Sequence, residues 1–231
     1  MKLPTSQAST KDALKLIRLH LELECIGLNA RGRLVRIPGP DPDDVPRLYI
    51  SQHGSTYTTY FGSGLSDGVM DELSGFTSEE IFHDNDAIRA CLGKQAPCKD
   101  GHIGTSYVFP NRLPASKRAV KLTPSHSSII DEFERGWDVK AKTAYAIVEG
   151  GRIVSMCRSS RENDKAGEAW VFTALGHRSR GYGSEVTRAW ARDLLKQGKT
   201  PFYSHKLSNE ASRGVALSLG LVQYIADVAY F

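Results

Sequence analysis

Hydrophobic residues are spaced differently in the two halves of the chain. In residues 1–113, apolar positions recur at helical spacing up to about Glu24 and at strand spacing over 47–52 and 55–61. A short helix is predicted over 66–73. Together these elements predict an α+β segment, and its chemistry cannot be read from the sequence.

Local signals mark further boundaries in this segment. Ser9 can cap the first helix, and Thr77 with Glu80 has the spacing of a capping box, which predicts a helix that continues to Gly93. Residues 36–46 contain four prolines and three aspartates. This composition predicts an exposed connection.

Residues 114–231 follow a regular succession of strands and helices. The predicted order is β-α-β-β-β-α-β-α-β, which indicates an α/β fold. Thr123 and Pro124 supply a cap and a first helical residue, and Gly150 with Gly151 supplies the positive φ of a tight hairpin. The predicted strands are 119–122, 143–148, 152–160, 168–175, 200–204 and 223–230, and the predicted helices are 124–136, 184–196 and 209–219.

The fourth of these strands leads into a glycine turn that opens a helix, within the stretch 171–183 (VFTALGHRSRGYG). The first N–H groups of a helix lack helical partners, and the helix dipole adds partial positive charge there. Gly181 and Gly183 let the backbone approach a ligand closely, while Arg178 and Arg180 add positive charge. The stretch therefore predicts a phosphate site, although such a turn is also common as a plain connection.

The spacing of this turn separates it from two common phosphate motifs. It lacks the Gly-Lys-Ser/Thr ending of a P-loop and the GxGxxG of a dinucleotide-binding turn. The run RSRGYG that ends at Gly183 instead fits the (Gln/Arg)-x-x-Gly-x-(Gly/Ala) signature of the GCN5-related N-acetyltransferases, the GNAT family. Asn209, followed eleven residues later by Gly220, resembles the second cofactor motif of that family. The segments 104–110 and 167–173 resemble a bacterial subgroup with a long N-terminal extension.

The resemblance covers about residues 115–231 and implies the GNAT fold, a mixed central sheet with helices on both sides. It divides the chain into a smaller α+β extension, 1–113, and an acetyltransferase domain, 114–231. It also implies acetyl-CoA as the acyl donor and direct transfer, in a ternary complex, to a primary amine of a small molecule or, as an alternative, of a protein lysine or N-terminus. The residues that the resemblance assigns to the cofactor are Phe172, Thr173, Arg178, Ser179, Arg180, Gly181, Tyr182, Gly183, Ser184, Asn209 and Ser212.

Acetyl transfer requires a group that removes the proton of the acceptor ammonium, because its pKa lies near about 10. Glu168 begins the strand before the turn, and the resemblance assigns it this role through a water molecule. Where many family members have a tyrosine that protonates the leaving thiolate, this chain has Ala216. Ser212, Ser204 and Tyr203 are the candidates that take its place. The alanine leaves open a second hypothesis, a non-catalytic module that binds acyl-CoA as a sensor or scaffold.

Four residues are predicted to contact the acceptor, namely Tyr107, Cys157, Arg158 and Ser204. The bacterial subgroup has residues similar to Cys157 and Arg158. Packing is the alternative for Cys157, because small thiols are commonly buried, and for Tyr107. The small amines expected as acceptors are an amino acid, a polyamine or an amine-bearing antibiotic, and the sequence does not separate these from one another or from a protein lysine or N-terminus.

Composition argues against several other functions. The chain has 231 residues, of which 40% are hydrophobic and 24% charged, as in ordinary globular proteins. Its net charge of +4 is spread along the chain, so nucleic-acid binding is not expected. The four cysteines lack C-x-x-C or zinc-finger spacing, so we expect no metal and a reducing compartment. No apolar stretch is long enough for a membrane span, so a cytoplasmic protein without membrane contact is expected. A monomer or a homodimer is the expected oligomeric state.

Overall fold

The computed structural model describes residues 10–39, 44–83, 85–98, 101–133 and 142–231. These residues form two compact units, which are interleaved along the chain. The first unit contains the chain up to residue 106 together with 205–208 and 223–231, and the second contains 107–204 and 209–222. Because the two units alternate along the chain, they do not test the predicted division at position 113.

Among the described residues, the first unit contains four helices, a separate two-stranded sheet formed by its first two strands, and a larger sheet built mainly from the N-terminal half of the chain. Its hairpin agrees with the prediction, and the first strand of the hairpin, β3 (Leu48–His53), also pairs antiparallel with the last strand of the chain, β11 (Val222–Tyr230). The helices are α1 Thr10–Leu23, α2 Asp67–Leu73, α3 Ser78–His83 and α4 Asn85–Gly93. The strands are β1 Ile26–Leu28, β2 Leu34–Arg36, β3 Leu48–His53, β4 Thr56–Phe61, β5 His102–Val108 and β11 Val222–Tyr230.

The predicted capping box of the first unit is present. The N–H of Thr77 donates to Oε2 of Glu80 at 2.7 Å, and the N–H of Glu80 donates to Oγ1 of Thr77 at 3.2 Å. The predicted cap Ser9 lies outside the described residues, as do positions 40–43 of the predicted connection. Position 36 of that connection belongs instead to β2.

The second unit follows the predicted succession of elements. Its 3-10 turns, Pro124–His126 and Leu175–His177, were not predicted, and the predicted end of its first helix near Gly136 lies outside the described residues. The strands are β6 Val120–Lys121, β7 Ala144–Glu149, β8 Arg152–Glu162, β9 Ala166–Thr173 and β10 Thr200–Lys206. The helices are α5 Ser127–Phe133, α6 Tyr182–Lys196 and α7 Glu210–Ser218.

The sheet of the second unit is mixed, which confirms the predicted fold class. Its strand order is β10-β9-β8-β7-β6, with β9 and β10 parallel and the other neighbours antiparallel. Helix α6 covers one face through Val186 and Trp190, and α5 covers the other through Ile130. Trp190 is fully buried and its Nε1 donates to Oγ of Ser159 at 2.9 Å. Trp190 is thus a packing residue of the core beneath α6. None of the described helices has both the length and the apolar character needed to cross a membrane.

The pairing of the two parallel strands stops early. Register pairs join β9 and β10 only as far as Phe202 opposite Glu168, although β9 continues to Thr173. Beyond Glu168 the two strands no longer form a ladder, and a gap opens between them. This opening agrees with the fold that the resemblance implies.

Glu162 lies at the end of β8 and carries a network of hydrogen bonds. It accepts from the N–H of Thr143 at 2.9 Å, from Oγ of Ser159 at 2.6 Å and from Nζ of Lys199 at 2.7 Å. Burial would raise the pKa of Glu162, but the donors Lys199, Ser159 and Thr143 outweigh it and hold the pKa below its usual value. The network therefore depends on an ionised carboxylate.

The substitution Glu162→Gln tests this network through the pH dependence of stability. A carboxylate with a lowered folded-state pKa stabilises the protein above its unfolded pKa of about 4.3, and this contribution is lost as the pH falls through the folded value. At pH 7 we expect the variant to lose about 2 kcal/mol in the free energy of unfolding, measured by urea denaturation. The difference from wild type should shrink below about pH 4.

The matched control is Glu79→Gln, which changes an exposed carboxylate on α3. Its effect should be about 0.5 kcal/mol or less. A deficit of Glu162→Gln that stays constant between pH 7 and pH 3 would contradict the ionised network.

Candidate active site

The glycine turn has an unusual backbone conformation. Ser179 has a φ of 60° and Gly181 a φ of 75°, so two residues within three positions are left-handed. Gly181 is the N-cap of α6, and its carbonyl accepts the first helical hydrogen bond, from the N–H of Glu185 at 3.0 Å. The N–H groups before Glu185 therefore have no helical acceptor, which is the arrangement that binds anions. A left-handed serine is strained, and such strain is typical of ligand-binding turns.

A cluster around Glu149, the last residue of β7, holds the turn in place. Oε1 of Glu149 accepts from the hydroxyl of Tyr182 at 2.6 Å, and its Oε2 lies 3.3 Å from Nε2 of His177. The guanidinium carbon of Arg118 lies 4.6 Å from the centre of the Tyr182 ring. The hydrogen bond from Tyr182 is the main cause that lowers the pKa of Glu149, with His177 and Arg118 contributing in the same direction. Since His177 precedes the turn and Tyr182 follows it, one carboxylate fixes both of its ends.

The start of α6 is anchored a second time through Glu185. Its carboxylate accepts from the hydroxyl of Ser116 at 3.0 Å and from the N–H groups of Lys117 and Arg118, both at 2.9 Å. Burial would raise the pKa of Glu185, but the bonds from Arg118, Ser116 and Lys117 outweigh it and lower the pKa. On the other side of the turn, Nε of Arg178 donates to the carbonyl of Thr173 at 3.2 Å.

A cavity of about 640 Å³ lies in the second unit between the end of β9, the turn and α7. Arg180 is the predicted cofactor residue that does not line it. The predicted residues that do line it are Phe172, Thr173, Arg178, Ser179, Gly181, Tyr182, Gly183, Ser184, Asn209 and Ser212. The lining residues that were not predicted from the sequence to form a site are Val171, His177, Glu210, Ala211, Gly214, Val215 and Ser218. Those on α7 recur at helical spacing after Asn209, and this spacing is the signal that would have identified them.

The wall formed by α7 is built around its cap. Oδ1 of Asn209 accepts from the N–H of Ser212 at 3.0 Å, which confirms the predicted N-cap. Tyr203, on β10, donates its hydroxyl to the carbonyl of Ser212 at 3.2 Å, and burial raises the pKa of Tyr203 to about 12. Ala216 is buried in the core beneath this wall. Ser184 and Ser218 share a hydrogen bond that connects α6 to α7.

Glu168 lies where the pairing of β9 with β10 ends, and its side chain is 6% exposed. Its Oε2 accepts from a guanidinium N–H of Arg161 at 2.7 Å, and its Oε1 accepts from the hydroxyl of Ser204. Ser204 was predicted to contact the acceptor, and the structure places its hydroxyl on this carboxylate. A salt bridge and a hydrogen bond thus hold the carboxylate of Glu168 in place. The Arg161 contact could not be predicted from the sequence, because it depends on a bulge in β8 between Ser159 and Arg161.

The other residues predicted to contact the acceptor lie on different sides of the sheet. Cys157 is fully buried in the cluster beneath α6, and this burial raises the pKa of its thiol. Arg158 points to the opposite face, where its guanidinium carbon lies 4.7 Å from the centre of the Trp170 ring. The ring of Tyr107 lies 6.5 Å from that of Tyr203 and packs against the cluster beneath α6.

The lining of the cavity suits a ligand with phosphate groups. Main-chain N–H groups, the guanidinium of Arg178 and the hydroxyl of Ser184 are donors, and Glu210 is the one carboxylate among the described lining residues. His177 also lines the cavity, and its buried Nδ1 has no hydrogen-bond partner among the described residues. The cavity is lined by the turn and by residues 171–173 of β9, which suits a diphosphate joined to a flexible arm.

Comparison with known proteins shows what this chain resembles. Residues 144–229 match the family model of FR47-like proteins. No functionally curated protein matches the sequence significantly. A GCN5-related N-acetyltransferase-like protein from Streptococcus suis has a similar fold, with a TM-score of 0.50, 13% identity, and 80% of this chain and 83% of that chain covered.

Two further structures match over nearly their whole length. An acetyltransferase of the GNAT family from Colwellia psychrerythraea is 11% identical, with 96% and 97% of the two chains covered and a TM-score of 0.48. A GCN5-related N-acetyltransferase from Sphaerobacter thermophilus is 13% identical, with 99% and 96% covered and a TM-score of 0.44. The match to FR47-like proteins over residues 144–229 and the fold shared with the Streptococcus suis protein agree with the turn signature of the GNAT family.

Proposed function

We propose that this protein is an N-acetyltransferase that transfers the acetyl group of acetyl-CoA to a primary amine of a small molecule, by direct transfer in a ternary complex. The observation that carries this proposal is the position of Glu168. It lies at the point where β9 and β10 separate, and residues 171–173 of the same strand line the cavity behind the glycine turn.

The turn and the two walls of the cavity would hold the acyl donor. The main-chain N–H groups of residues 181–184 and the side chain of Arg178 suit the diphosphate of coenzyme A. Phe172 and Thr173 on β9, with Asn209 and Ser212 on the other wall, suit its pantetheine arm. When bound, the thioester supplies the acetyl group and the thiolate leaving group.

Glu168 is the proposed base. An acceptor ammonium with a pKa near about 10 is mostly protonated at neutral pH and must lose its proton before it can attack. An ionised carboxylate attracts the ammonium and accepts its proton through a water molecule. The amine nitrogen then forms a bond to the acetyl carbon, and the bond between that carbon and sulfur breaks.

The departing sulfur does not require a strong acid. A thiol has a pKa of about 8.5, so its thiolate is a tolerable leaving group at neutral pH. The hydroxyl of Tyr203 and the residue Ser212 line the cavity, and they are the groups proposed to stabilise it. Ala216 is buried and contributes no proton donor.

The alternative is a module that binds acyl-CoA without turnover. The observation that favours it is Ala216, which stands where many family members have a proton-donating tyrosine. The two functions differ in one result, because only an enzyme releases free thiol when acetyl-CoA and an amine are mixed.

The substitution Gly181→Leu tests the turn. Gly181 and Gly198 have nearly the same φ, 75° and 76°, and a Cβ at either position would meet nothing within 4 Å. Each leucine variant should lose about 1–2 kcal/mol of stability through the left-handed backbone. Only Gly181→Leu should also weaken coenzyme A binding, by about tenfold or more, because its side chain blocks the approach to the N–H groups. Titration calorimetry measures the affinity and thermal unfolding the stability. Equal affinity for coenzyme A in the two variants would refute the turn as the diphosphate site.

The substitution Glu168→Gln tests the base. It should reduce kcat by about 10²- to 10⁴-fold while leaving the affinity for coenzyme A unchanged. Thiol release with a panel of amines measures the rate, and calorimetry measures the affinity. Undiminished kcat in the variant removes Glu168 from the mechanism. Tight binding of acetyl-CoA by the wild type, with no thiol release on any amine, supports the binding module instead.

A further inference from the structure

An aromatic surface extends from the proposed base along β9. Glu168, Trp170 and Phe172 alternate on the face of the sheet that α5 covers in part. The rings of Trp170 and Phe172 are stacked, with centroids 6.4 Å apart and planes 8° apart, and Phe133 at the end of α5 packs edge-on against Phe172 with centroids 4.9 Å apart. Trp170 is 36% exposed. Aromatic side chains offer a large apolar contact area to a ligand.

Two guanidinium groups border this surface. Arg158 and Arg161, both on β8, lie opposite Trp170 and Glu168 in the strand register. The guanidinium carbon of Arg158 is 4.7 Å from the centre of the Trp170 ring, and Arg161 contacts Glu168 at 2.7 Å. The described side chains on this face of β8 and β9 therefore bring two positive charges and one negative charge. Arginine also presents N–H donors in a plane that matches a carboxylate.

The surface adjoins the proposed site for the acyl donor. Phe172 belongs to both, because it stacks on Trp170 and also lines the cavity behind the turn. Trp170 follows Glu168 by two residues of a strand, so it lies about 6.6 Å farther along the chain. An amine held at Glu168 would thus place the rest of its molecule over Trp170, beside Arg158.

From this arrangement we infer that the acceptor is a small amine that bears a carboxylate and an apolar, preferably aromatic, body, as an aromatic amino acid does. This inference rests on the proposed function. The apolar body packs against Trp170 and Phe172, and the carboxylate is attracted by Arg158 and Arg161. A polyamine has neither the carboxylate nor the aromatic body, so it is disfavoured. The products are the N-acetyl amino acid, coenzyme A with a free thiol, and a proton.

A panel of matched acceptors separates the two recognition elements. Phenylalanine has both, phenethylamine lacks the carboxylate, alanine lacks the ring, and spermidine lacks both. We expect kcat/KM for phenylalanine to exceed the values for the other three by about tenfold or more. Preference for phenethylamine or spermidine over phenylalanine, measured by thiol release with the whole chain, would overturn the inference and leave the acetyltransferase proposal standing.

Two variants tie this preference to the surface. Trp170→Ala should raise the KM for phenylalanine about tenfold with little change for alanine, and Arg158→Met should remove most of the advantage of phenylalanine over phenethylamine. Val120→Ala and Arg152→Met are the matched controls, since Val120 is exposed elsewhere on the sheet and Arg152 lies at the opposite end of β8. Unchanged affinity for coenzyme A shows that each variant is folded. Equal losses for all four acceptors in Trp170→Ala would count against the surface as the acceptor site.

A binding measurement distinguishes the failure of this inference from the failure of the proposed function. Calorimetry of phenylalanine with the coenzyme A complex reports acceptor binding without turnover. Binding that Trp170→Ala weakens about tenfold, with no thiol release on any amine, would overturn the acetyltransferase proposal and support the acceptor surface. Turnover of amines without binding of phenylalanine would support the acetyltransferase proposal and overturn the acceptor surface.

Discussion

The main-chain N–H groups at the start of α6 have no helical acceptors, and the architecture of the second unit keeps them available. Gly181 ends the turn with a left-handed φ, and Ser179 shares that strained conformation. Glu149 fixes both ends of the turn through His177 and Tyr182, while Glu185 anchors the helix to the segment before β6. Both carboxylates accept hydrogen bonds from neighbouring residues, which fixes their positions. The structure therefore combines a rigid turn with a positive site, which is what an anion requires.

The second constraint is the early end of the parallel pairing. The ladder between β9 and β10 stops at Glu168, so this carboxylate marks the beginning of the gap. Along β9, alternate residues then serve different purposes. Ala169 and Val171 pack under α6, whereas Trp170 and Phe172 form the aromatic surface on the other face. The strand β9 thus separates the core beneath α6 from the aromatic surface on its other face.

Local signals explain which parts of this arrangement could be predicted from the sequence. The order of elements after position 114 follows from periodicity, the Gly150–Gly151 hairpin and the glycine turn, because each signal lies within a few residues of its effect. The short strands β1 and β2 are too brief to show a period, and the pairing of β11 with β3 joins residues far apart in the sequence. Contacts such as Arg161 with Glu168 depend on strand register and a bulge. Adjacent strand residues face opposite sides, which is why Cys157 and Arg158 cannot share a pocket.

The central claim is that the start of α6 binds the diphosphate of coenzyme A, and amide chemical shifts test it most directly. Titration of the ¹⁵N-labelled protein with coenzyme A should shift the amide signals of residues 181–184 most strongly. Pantetheine, which lacks the diphosphate, should leave these signals nearly unchanged and act along β9. Shifts that avoid residues 181–184, or that pantetheine reproduces in full, would contradict the account.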